Sequence, residues 1–244
     1  MKASDRLIVA LDVPGLAEAG RLLDRLAGEV RFFKVGMELY NSTGPSVIEL
    51  VRARGARVFL DLKLHDIPNT VARTAEVLGR LGVAMFNVHA SGGPEMMRGA
   101  AAACSRVAAE IGGEPPLILG VTVLTSLDRG SLAEVTGADR PVGQAVVQLA
   151  RLARDAGLAG VVCSPGEVAA VKQACGRGFL AVTPGIRPAW AARSGDDQRR
   201  VLTPAAAIAA GADYLVVGRP ITAAPDPARA GRLVLQEMEE ASRA

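Results

Sequence analysis

One repeating unit of the fold is visible in residues 58–88, VFLDLKLHDIPNTVARTAEVLGRLGVAMFNV. Val58–Leu62 is almost wholly apolar, Ala72–Leu81 has the apolar spacing of a helix, and Met85–Val88 is a second apolar run. Gly82, directly after the helical segment, is a typical helix stop. Short runs that are nearly all apolar are typical of parallel strands covered on both faces. The stretch therefore predicts a strand, a helix and a second, parallel strand.

The same unit recurs along the whole chain. Successive predicted strand ends are about 29 residues apart, which is the size of one βαβ step. Helical segments lie between the strands, for example Ala17–Leu26, Val47–Arg54 and Ala205–Ala210, the last of them preceded by a Thr203-Pro204 start signal. The predicted strands are Leu7–Leu11, Phe32–Val35, Val58–Leu62, Met85–Val88, Leu117–Val123, Gly160–Cys163, Phe179–Val182 and Tyr214–Val217.

Eight such units in 244 residues predict an α/β fold of the (β/α)8 or TIM-barrel type. A doubly wound open sheet also alternates strands and helices, and it is the competing prediction. Its usual G-x-G-x-x-G fingerprint is absent after the first strand, where Leu11-Asp12-Val13-Pro14-Gly15 stands. Since no linker or shift of composition divides the chain, residues 1–244 are predicted to form a single domain.

The composition excludes several classes of protein. With 50% hydrophobic and 22% charged residues the chain has enough apolar surface to fold, which excludes a disordered protein. Its longest stretch without a charged residue, Leu81–Pro94, is too short to span a membrane. The net charge of +3, with no basic run interleaved with aromatic residues, gives no reason to expect nucleic acid as a partner. The amino-terminal apolar segment is too short for a signal peptide, so a cytoplasmic location is expected.

Cysteine usage points to neither disulfides nor zinc. The three cysteines, Cys104, Cys163 and Cys175, are an odd number and have no C-x-x-C spacing. We expect them to be buried thiols.

Charged residues concentrate where the first three strands end. Asp12 follows the first strand and Lys34 lies in the second. Asp61 and Lys63 are two residues apart, so alternation along the strand puts both on one face, towards the barrel lumen. The carboxyl ends of the strands carry the chemistry in barrel enzymes. The simpler interpretation, a structural ion pair plugging the barrel mouth, stays open here.

The last two strands are followed by segments suited to binding a phosphate. They are Thr183–Pro188, which contains Gly185 and Arg187, and Val217–Pro220, which contains Gly218 and Arg219. Loops after strands seven and eight commonly form a phosphate site in this fold. The alternative is that these glycines only permit tight turns and that the arginines are solvated. The polar insertion 189–200 is predicted to be a lid over the phosphate. His65 and His89 are assigned no catalytic role.

The run Asp61-Leu62-Lys63-Leu64-His65-Asp66-Ile67-Pro68-Asn69-Thr70 resembles the signature of the orotidine 5′-phosphate decarboxylase family. The resemblance extends to Ala10–Asp12, Lys34–Gly36, Val121–Ser126, Thr183–Arg187, Gly195–Gln198 and Gly218-Arg219. It implies a TIM barrel that converts orotidine 5′-phosphate to UMP and CO2 in de novo pyrimidine biosynthesis, without a cofactor and without a metal.

The resemblance also implies a role for each matched residue. Lys63 would protonate C6 of the pyrimidine, Asp61 would lie next to the substrate carboxylate, and Asp66 would complete the catalytic set from the partner of a homodimer. Ile67 and Thr70 would reach the partner's site together with Asp66. The other implied substrate contacts are Asp12 and Lys34 to the ribose, Thr125 and Gln198 to the pyrimidine, and Pro184, Arg187, Gly218 and Arg219 at the phosphate end, where Gln198 also reaches.

Two alternatives remain from the sequence. A related sugar-phosphate barrel, of the hexulose-phosphate synthase or ketogulonate-phosphate decarboxylase type, would use the aspartates of the third strand with Mg²⁺. A non-catalytic phosphate-binding barrel is the other, and every matched catalytic position being occupied argues against it.

Overall fold

The eight apolar runs form the parallel strands of a closed barrel, as predicted. A computed structural model describes residues 2–191 and 202–243. Each strand pairs with its neighbours in chain order, and the last strand closes on the first. The strands are β1 (Leu7–Ala10), β2 (Phe32–Gly36), β3 (Arg57–Leu64), β4 (Met85–His89), β5 (Leu117–Val121), β6 (Gly160–Val162), β7 (Leu180–Thr183) and β8 (Tyr214–Val217).

Helices follow the strands and cover the outside of the barrel, so the described residues form a single TIM-barrel domain. None of these helices is long and apolar enough to cross a membrane. They are α1 (Ala3–Arg6), α2 (Leu16–Arg25), α3 (Met37–Thr43), α4 (Ser46–Arg52), α5 (Pro68–Arg80), α6 (Pro94–Ile111), α7 (Arg129–Thr136), α8 (Val142–Asp155), α9 (Val168–Cys175), α10 (Pro204–Ala209), α11 (Arg219–Thr222) and α12 (Pro227–Arg243).

The strands carry two separate apolar layers. Alternate side chains of each strand point to opposite faces, and one set, including Phe32, Phe59 and Tyr214, fills the lumen. The other set, which includes Leu60 and Phe86, packs against the surrounding helices. Because both faces are buried, the strands have the continuous apolar character that predicted them.

Strand β3 is longer than predicted and irregular near its end. Leu60 pairs with Phe86 and Leu64 pairs with Val88, so β3 advances four residues while β4 advances two. Lys63 lies within this bulge and has a left-handed backbone, with φ of 53°. Regular alternation was therefore the wrong geometry for this segment, although Lys63 still lines the lumen and Leu64 still packs outward.

The other strand boundaries differ from the prediction by at most two residues, and β8 has the predicted boundaries. The largest difference is at β5, which ends at Val121 rather than at Val123. Thr122 continues the pairing differently, because its backbone N–H and its hydroxyl both donate to the Val162 carbonyl. Gly160 allows β6 to approach β7 closely, since a Cβ there would lie 2.3 Å from the Leu180 carbonyl oxygen.

Candidate active site

A cavity of about 410 Å³ opens at the carboxyl ends of the strands. This is the end of the barrel where enzymes of this fold have their active sites. Its walls combine charged side chains from the first three strands, an apolar patch from β5 and β6, and the loops after β7 and β8. Its lining residues include Asp12, Lys34, Asp61, Lys63, Asn87, Thr125, Cys163, Pro184, Gly185, Arg187, Gly218 and Arg219.

Asp61 is the centre of the charged cluster. Its Oδ1 accepts a hydrogen bond of 2.7 Å from Lys63 Nζ, and its Oδ2 lies 3.4 Å from Lys34 Nζ. Lys34 Nζ also donates to Asp12 Oδ1 over 3.1 Å. The side chains of Lys34 and Asp61 are largely buried and that of Asp12 is more than half exposed. The structure thus brings together all four charged residues that the sequence predicted for this end of the barrel.

The charge of Asp61 is maintained by its neighbours. Burial by itself raises the pKa of the Asp61 carboxyl. The charges of Lys34 and Lys63 and the hydrogen bonds from Lys63 and Asn87 lower the pKa, and together they outweigh the effect of burial. The net result is a pKa below the ordinary value, so Asp61 is ionised at neutral pH. An ionised Asp61 in turn keeps two ammonium groups in fixed positions.

Asn87 is a member of this cluster that sequence reasoning missed. It is 1% exposed, its Nδ2 donates to Asp61 Oδ1 over 2.7 Å, and its Oδ1 accepts from the Lys63 backbone N–H over 2.8 Å. The sequence held one signal, an amide inside the otherwise apolar strand Met85–Val88. Buried polar groups almost always have partners, so that amide indicates a polar neighbour on an adjacent strand.

The loops after β7 and β8 form the predicted phosphate end of the cavity. Pro184, Arg187, Gly218 and Arg219 all line it. Gly185, between the first two, has φ of 74°, which a side chain would strain. The backbone of these loops is therefore accessible to a ligand beside two guanidinium groups, an arrangement suited to an anion.

Thr125 also lines the cavity, as predicted. Gln198 and most of the predicted lid 189–200 lie outside the described residues. Of the lid, the structure describes only the short 3-10 helix Ala189–Ala191, in which Trp190 is exposed.

Asp66, Ile67 and Thr70 do not line the cavity of their own chain. All three are exposed, with Ile67 at 67%, and they lie where β3 leads into α5. Asp66 Oδ1 accepts from the Ile67 backbone N–H over 2.7 Å. Pro68 is the first residue of α5, a position at which proline is common.

The rings of the two histidines are in contact beside the cluster, tilted by 37° to each other. The rings of His65 and His89 have centroids 5.2 Å apart. Burial lowers the pKa of His89, and the charges of His65 and Lys63 lower it further, so His89 is neutral at pH 7. Neither ring is among the groups lining the cavity, which agrees with giving neither a catalytic role.

The cysteines are buried thiols, as predicted. Cys163 lines the cavity directly after β6. Burial raises the pKa of the Cys104 thiol to about 11. Within residues 2–191 and 202–243, no three His, Cys, Asp or Glu side chains are arranged to hold a metal ion.

A closed eightfold barrel with its charged cavity at the carboxyl ends of the strands belongs to the class of TIM-barrel enzymes. Comparison with known proteins defines the class further. The chain belongs to the orotidine 5′-phosphate decarboxylase / HUMPS family, whose model matches residues 5–234.

Individual relatives match over almost the whole chain. The orotidine 5′-phosphate decarboxylase of Moorella thermoacetica is 54% identical, covering 98% of this chain and 94% of the relative. That of Syntrophotalea carbinolica is 53% identical, covering 99% and 98%. The crystal structure of orotidine 5′-phosphate decarboxylase from Lactobacillus acidophilus matches with a TM-score of 0.84 and 38% identity, over 96% of this chain and 98% of that one.

Proposed function

We propose that this protein decarboxylates orotidine 5′-phosphate to UMP and CO2 in pyrimidine biosynthesis, without a cofactor and with Lys63 as the proton donor. The observation that carries the proposal is the Lys63 ammonium, 2.7 Å from Asp61 within the cavity. Relatives of more than 50% identity that carry this activity in their names support it.

The chemistry requires a fixed positive charge beside the reacting carbon. When the bond from C6 to the carboxylate breaks, CO2 leaves and the electron pair stays on C6 in the plane of the ring, where the π system cannot delocalise it. An ammonium already held in place stabilises this charge without reorganising, which is how preorganised electrostatics lower a barrier. Lys63 then transfers a proton from Nζ to C6, forming the C6–H bond of UMP, and regains a proton from water.

Asp61 and Lys34 have complementary roles in the proposal. Asp61 holds the Lys63 ammonium and lies beside the substrate carboxylate, so departure of CO2 relieves a repulsion between like charges. Lys34 compensates the charge of Asp61 from the other side, at 3.4 Å. With Asp12, whose Oδ1 is 3.1 Å from Lys34 Nζ, it offers polar groups for the ribose hydroxyls.

The substrate phosphate is proposed to bind to the loops after β7 and β8. Arg187 and Arg219 supply charge there, and Pro184 and Gly218 line the same wall. Binding energy from a remote phosphate lowers the barrier when it fixes the reacting ring against the charged cluster. Thr125, together with Gln198, would orient the pyrimidine between these two ends.

We further propose a homodimer in which Asp66, Ile67 and Thr70 reach the partner's cavity. The support is their exposure at the cavity end of β3, including a large apolar side chain at Ile67. An exposed isoleucine beside a carboxylate is suited to an interface that also contributes to a site. The proposal includes a cytoplasmic location, which suits the three free thiols.

The geometry favours this function over the metal-dependent sugar-phosphate alternative. A Mg²⁺ ion on Asp61 would lie next to two ammonium groups, those of Lys34 and Lys63. Repulsion between cations in a partly buried site opposes such binding. A non-catalytic barrel would not need two lysines, Lys34 and Lys63, held on one carboxylate inside the cavity, since gathering charges in a partly buried site is costly.

The test is a direct assay of the EDTA-treated protein with orotidine 5′-phosphate, following the loss of absorbance as UMP forms. We expect full turnover, and we expect added Mg²⁺ to leave the rate unchanged. No turnover by folded protein, or turnover of a sugar phosphate that needs Mg²⁺, would contradict the proposal.

A further inference from the structure

We propose that Asn87 is a positioning residue for the reaction, because its side-chain amide spans the bulge in β3 and fixes both the backbone of Lys63 and the carboxylate of Asp61. This inference rests on the proposed function for its kinetic consequences. Its structural part, the hold on the Lys63 backbone, can be tested separately.

The sheet register is irregular where Asn87 faces β3. Between the pairs Leu60 with Phe86 and Leu64 with Val88, three residues of β3 face the single residue Asn87 of β4. A bulge of this kind leaves backbone groups without their normal ladder partners. The Asn87 side chain supplies one missing partner, since its Oδ1 accepts from the Lys63 N–H over 2.8 Å.

A closed ring of contacts joins Asn87, Asp61 and Lys63. Lys63 Nζ and Asn87 Nδ2 both donate to Asp61 Oδ1, each over 2.7 Å, and Asn87 Oδ1 returns to the backbone of Lys63. Only one orientation of the amide fits, because a backbone N–H can only donate and an ionised carboxylate can only accept. Both polar atoms of Asn87 are therefore engaged by the two residues that hold the charge.

The backbone of Lys63 is left-handed, with φ of 53°. A left-handed conformation is unfavourable for a residue with a Cβ, and it persists only where its surroundings enforce it. Among the described residues outside glycine, Lys63 alone has a positive φ. Asn87 is 1% exposed, so in the folded protein its hydrogen bonds are made to Asp61 and Lys63 and are not shared with solvent. Loss of the amide would therefore let the Lys63 segment relax and move its ammonium.

The experiment compares three variants of the full-length protein. Asn87→Ala removes both hydrogen bonds. Asn87→Asp keeps an oxygen for the Lys63 N–H but sets a second carboxylate against Asp61. Thr122→Val is the matched control, because it removes a buried side-chain hydrogen bond, to the Val162 carbonyl, on the next strand. The measurements are kcat, the dissociation constant for UMP and hydrogen exchange of the Lys63 amide.

For Asn87→Ala we expect kcat to fall about 100-fold, the scale of a displacement of about 1 Å at a reacting group. The dissociation constant for UMP should change less than about threefold, because the phosphate end is untouched. Protection of the Lys63 amide should be lost in Asn87→Ala and kept in Asn87→Asp and Thr122→Val. A kcat within about threefold of wild type, or a Lys63 amide still protected in Asn87→Ala, would overturn the inference.

The pH profile of Asn87→Asp provides a second test if the alanine variant does not fold. The charged groups near position 87 are Asp61 and Lys63, with Lys34 behind Asp61 and His89 further along β4. Two adjacent carboxylates share a proton at raised pKa. We therefore expect kcat to rise at least about tenfold from about pH 8 to about pH 5, as the shared proton restores a donor towards Asp61. A kcat equal to wild type across this range would contradict the inference.

The two proposals fail in distinguishable ways. If the wild-type protein does not decarboxylate orotidine 5′-phosphate, the proposed function fails, and exchange of the Lys63 amide still decides whether Asn87 holds that backbone. If wild type is active and Asn87→Ala is equally active, only the role of Asn87 fails.

Discussion

The Lys63 ammonium is 2.7 Å from Oδ1 of Asp61, which lies two residues earlier in the sequence. The contact forms where β3 leaves regular geometry, with Lys63 at a φ of 53°. On the other side of the same carboxylate, Lys34 Nζ lies 3.4 Å from Oδ2. Asp61 therefore holds two cations by direct contacts within one chain. A site of this kind has its charges in position before the reaction requires them.

Replacing Lys63 should separate catalysis from binding. We expect Lys63→Ala to lower kcat by at least about 10⁴-fold, because it removes both the proton donor and the positive charge beside C6. UMP should still bind measurably through the phosphate end. Stopped assays with high enzyme concentration measure the residual rate, and calorimetry measures UMP binding.

A second lysine provides the control for this change. Lys172 is more buried than Lys63 and its Nζ is 2.6 Å from Asp213 Oδ2, but neither Lys172 nor Asp213 lines the cavity. Lys172→Ala should lower the free energy of unfolding by about 1–3 kcal/mol and leave kcat unchanged. Equal turnover of Lys63→Ala and wild type would contradict the mechanism.

Arg187 should act through the phosphate alone. We expect Arg187→Ala to lower kcat/KM for orotidine 5′-phosphate about 10- to 100-fold, the worth of a hydrogen bond to a charged group. With orotidine, which lacks the phosphate, the variant and wild type should have similar kcat/KM. Arg21→Ala is the matched control, since Arg21 is exposed and pairs with Glu18 in α2. An equal loss with both substrates would show that Arg187 does not bind the phosphate.

The lowered pKa of Asp61 predicts where acid destabilises the protein. A carboxyl whose pKa is lower in the folded than in the unfolded state stabilises the fold above its unfolded pKa of about 4. That stability is lost as the pH falls through the lower, folded pKa. We expect the free energy of unfolding to decrease below about pH 4, and to do so less steeply in Asp61→Asn.

Asp24 is the control for this measurement. Hydrogen bonding to Arg54 also lowers the pKa of Asp24, but this pair lies at the surface, where salt screens it. In about 0.5 M salt we expect Asp24→Asn to follow wild type and Asp61→Asn to differ from it. An unchanged pH dependence in Asp61→Asn would contradict the depressed pKa.

The sequence predicted the barrel well because its evidence lies in burial. Strands covered on both faces are continuously apolar, and the runs around Phe33, Phe86 and Leu215 have no other reason to be so. The location of Asp61 and Lys63 in the site was also predictable, since charged residues at strand ends stand out against such apolar runs. The family resemblance then supplied roles for these residues that the pattern alone did not.

The bulge at Lys63 was not predictable from the pattern. Left-handed residues are usually recognised by glycine, and here the position carries a lysine between two outward-facing leucines, Leu62 and Leu64. Asn87 was missed for a related reason, because its partners are set by the shifted register between β3 and β4. Both features depend on how β3 pairs with β4, and the sequence of a single strand does not specify that register.

The proposed contribution of Asp66 to the partner's cavity can be tested by mixing two inactive proteins. In a hybrid dimer of Lys63→Ala with Asp66→Ala, one cavity lacks both residues. The other combines an intact Lys63 with an intact Asp66 from the opposite subunit. Random exchange between equal amounts makes about half of the dimers hybrid, so about a quarter of the sites regain activity.

The activity of the mixture should therefore rise towards about 25% of wild type as the subunits exchange. Mixing Lys63→Ala with Asp61→Ala is the control, because both side chains line the cavity of the same chain. In that hybrid each cavity keeps one defect, so no activity should return. No recovery with Asp66→Ala after exchange has been demonstrated would refute the shared site. Equal recovery in both mixtures would also refute the shared site, because the control hybrid has a defect in each cavity.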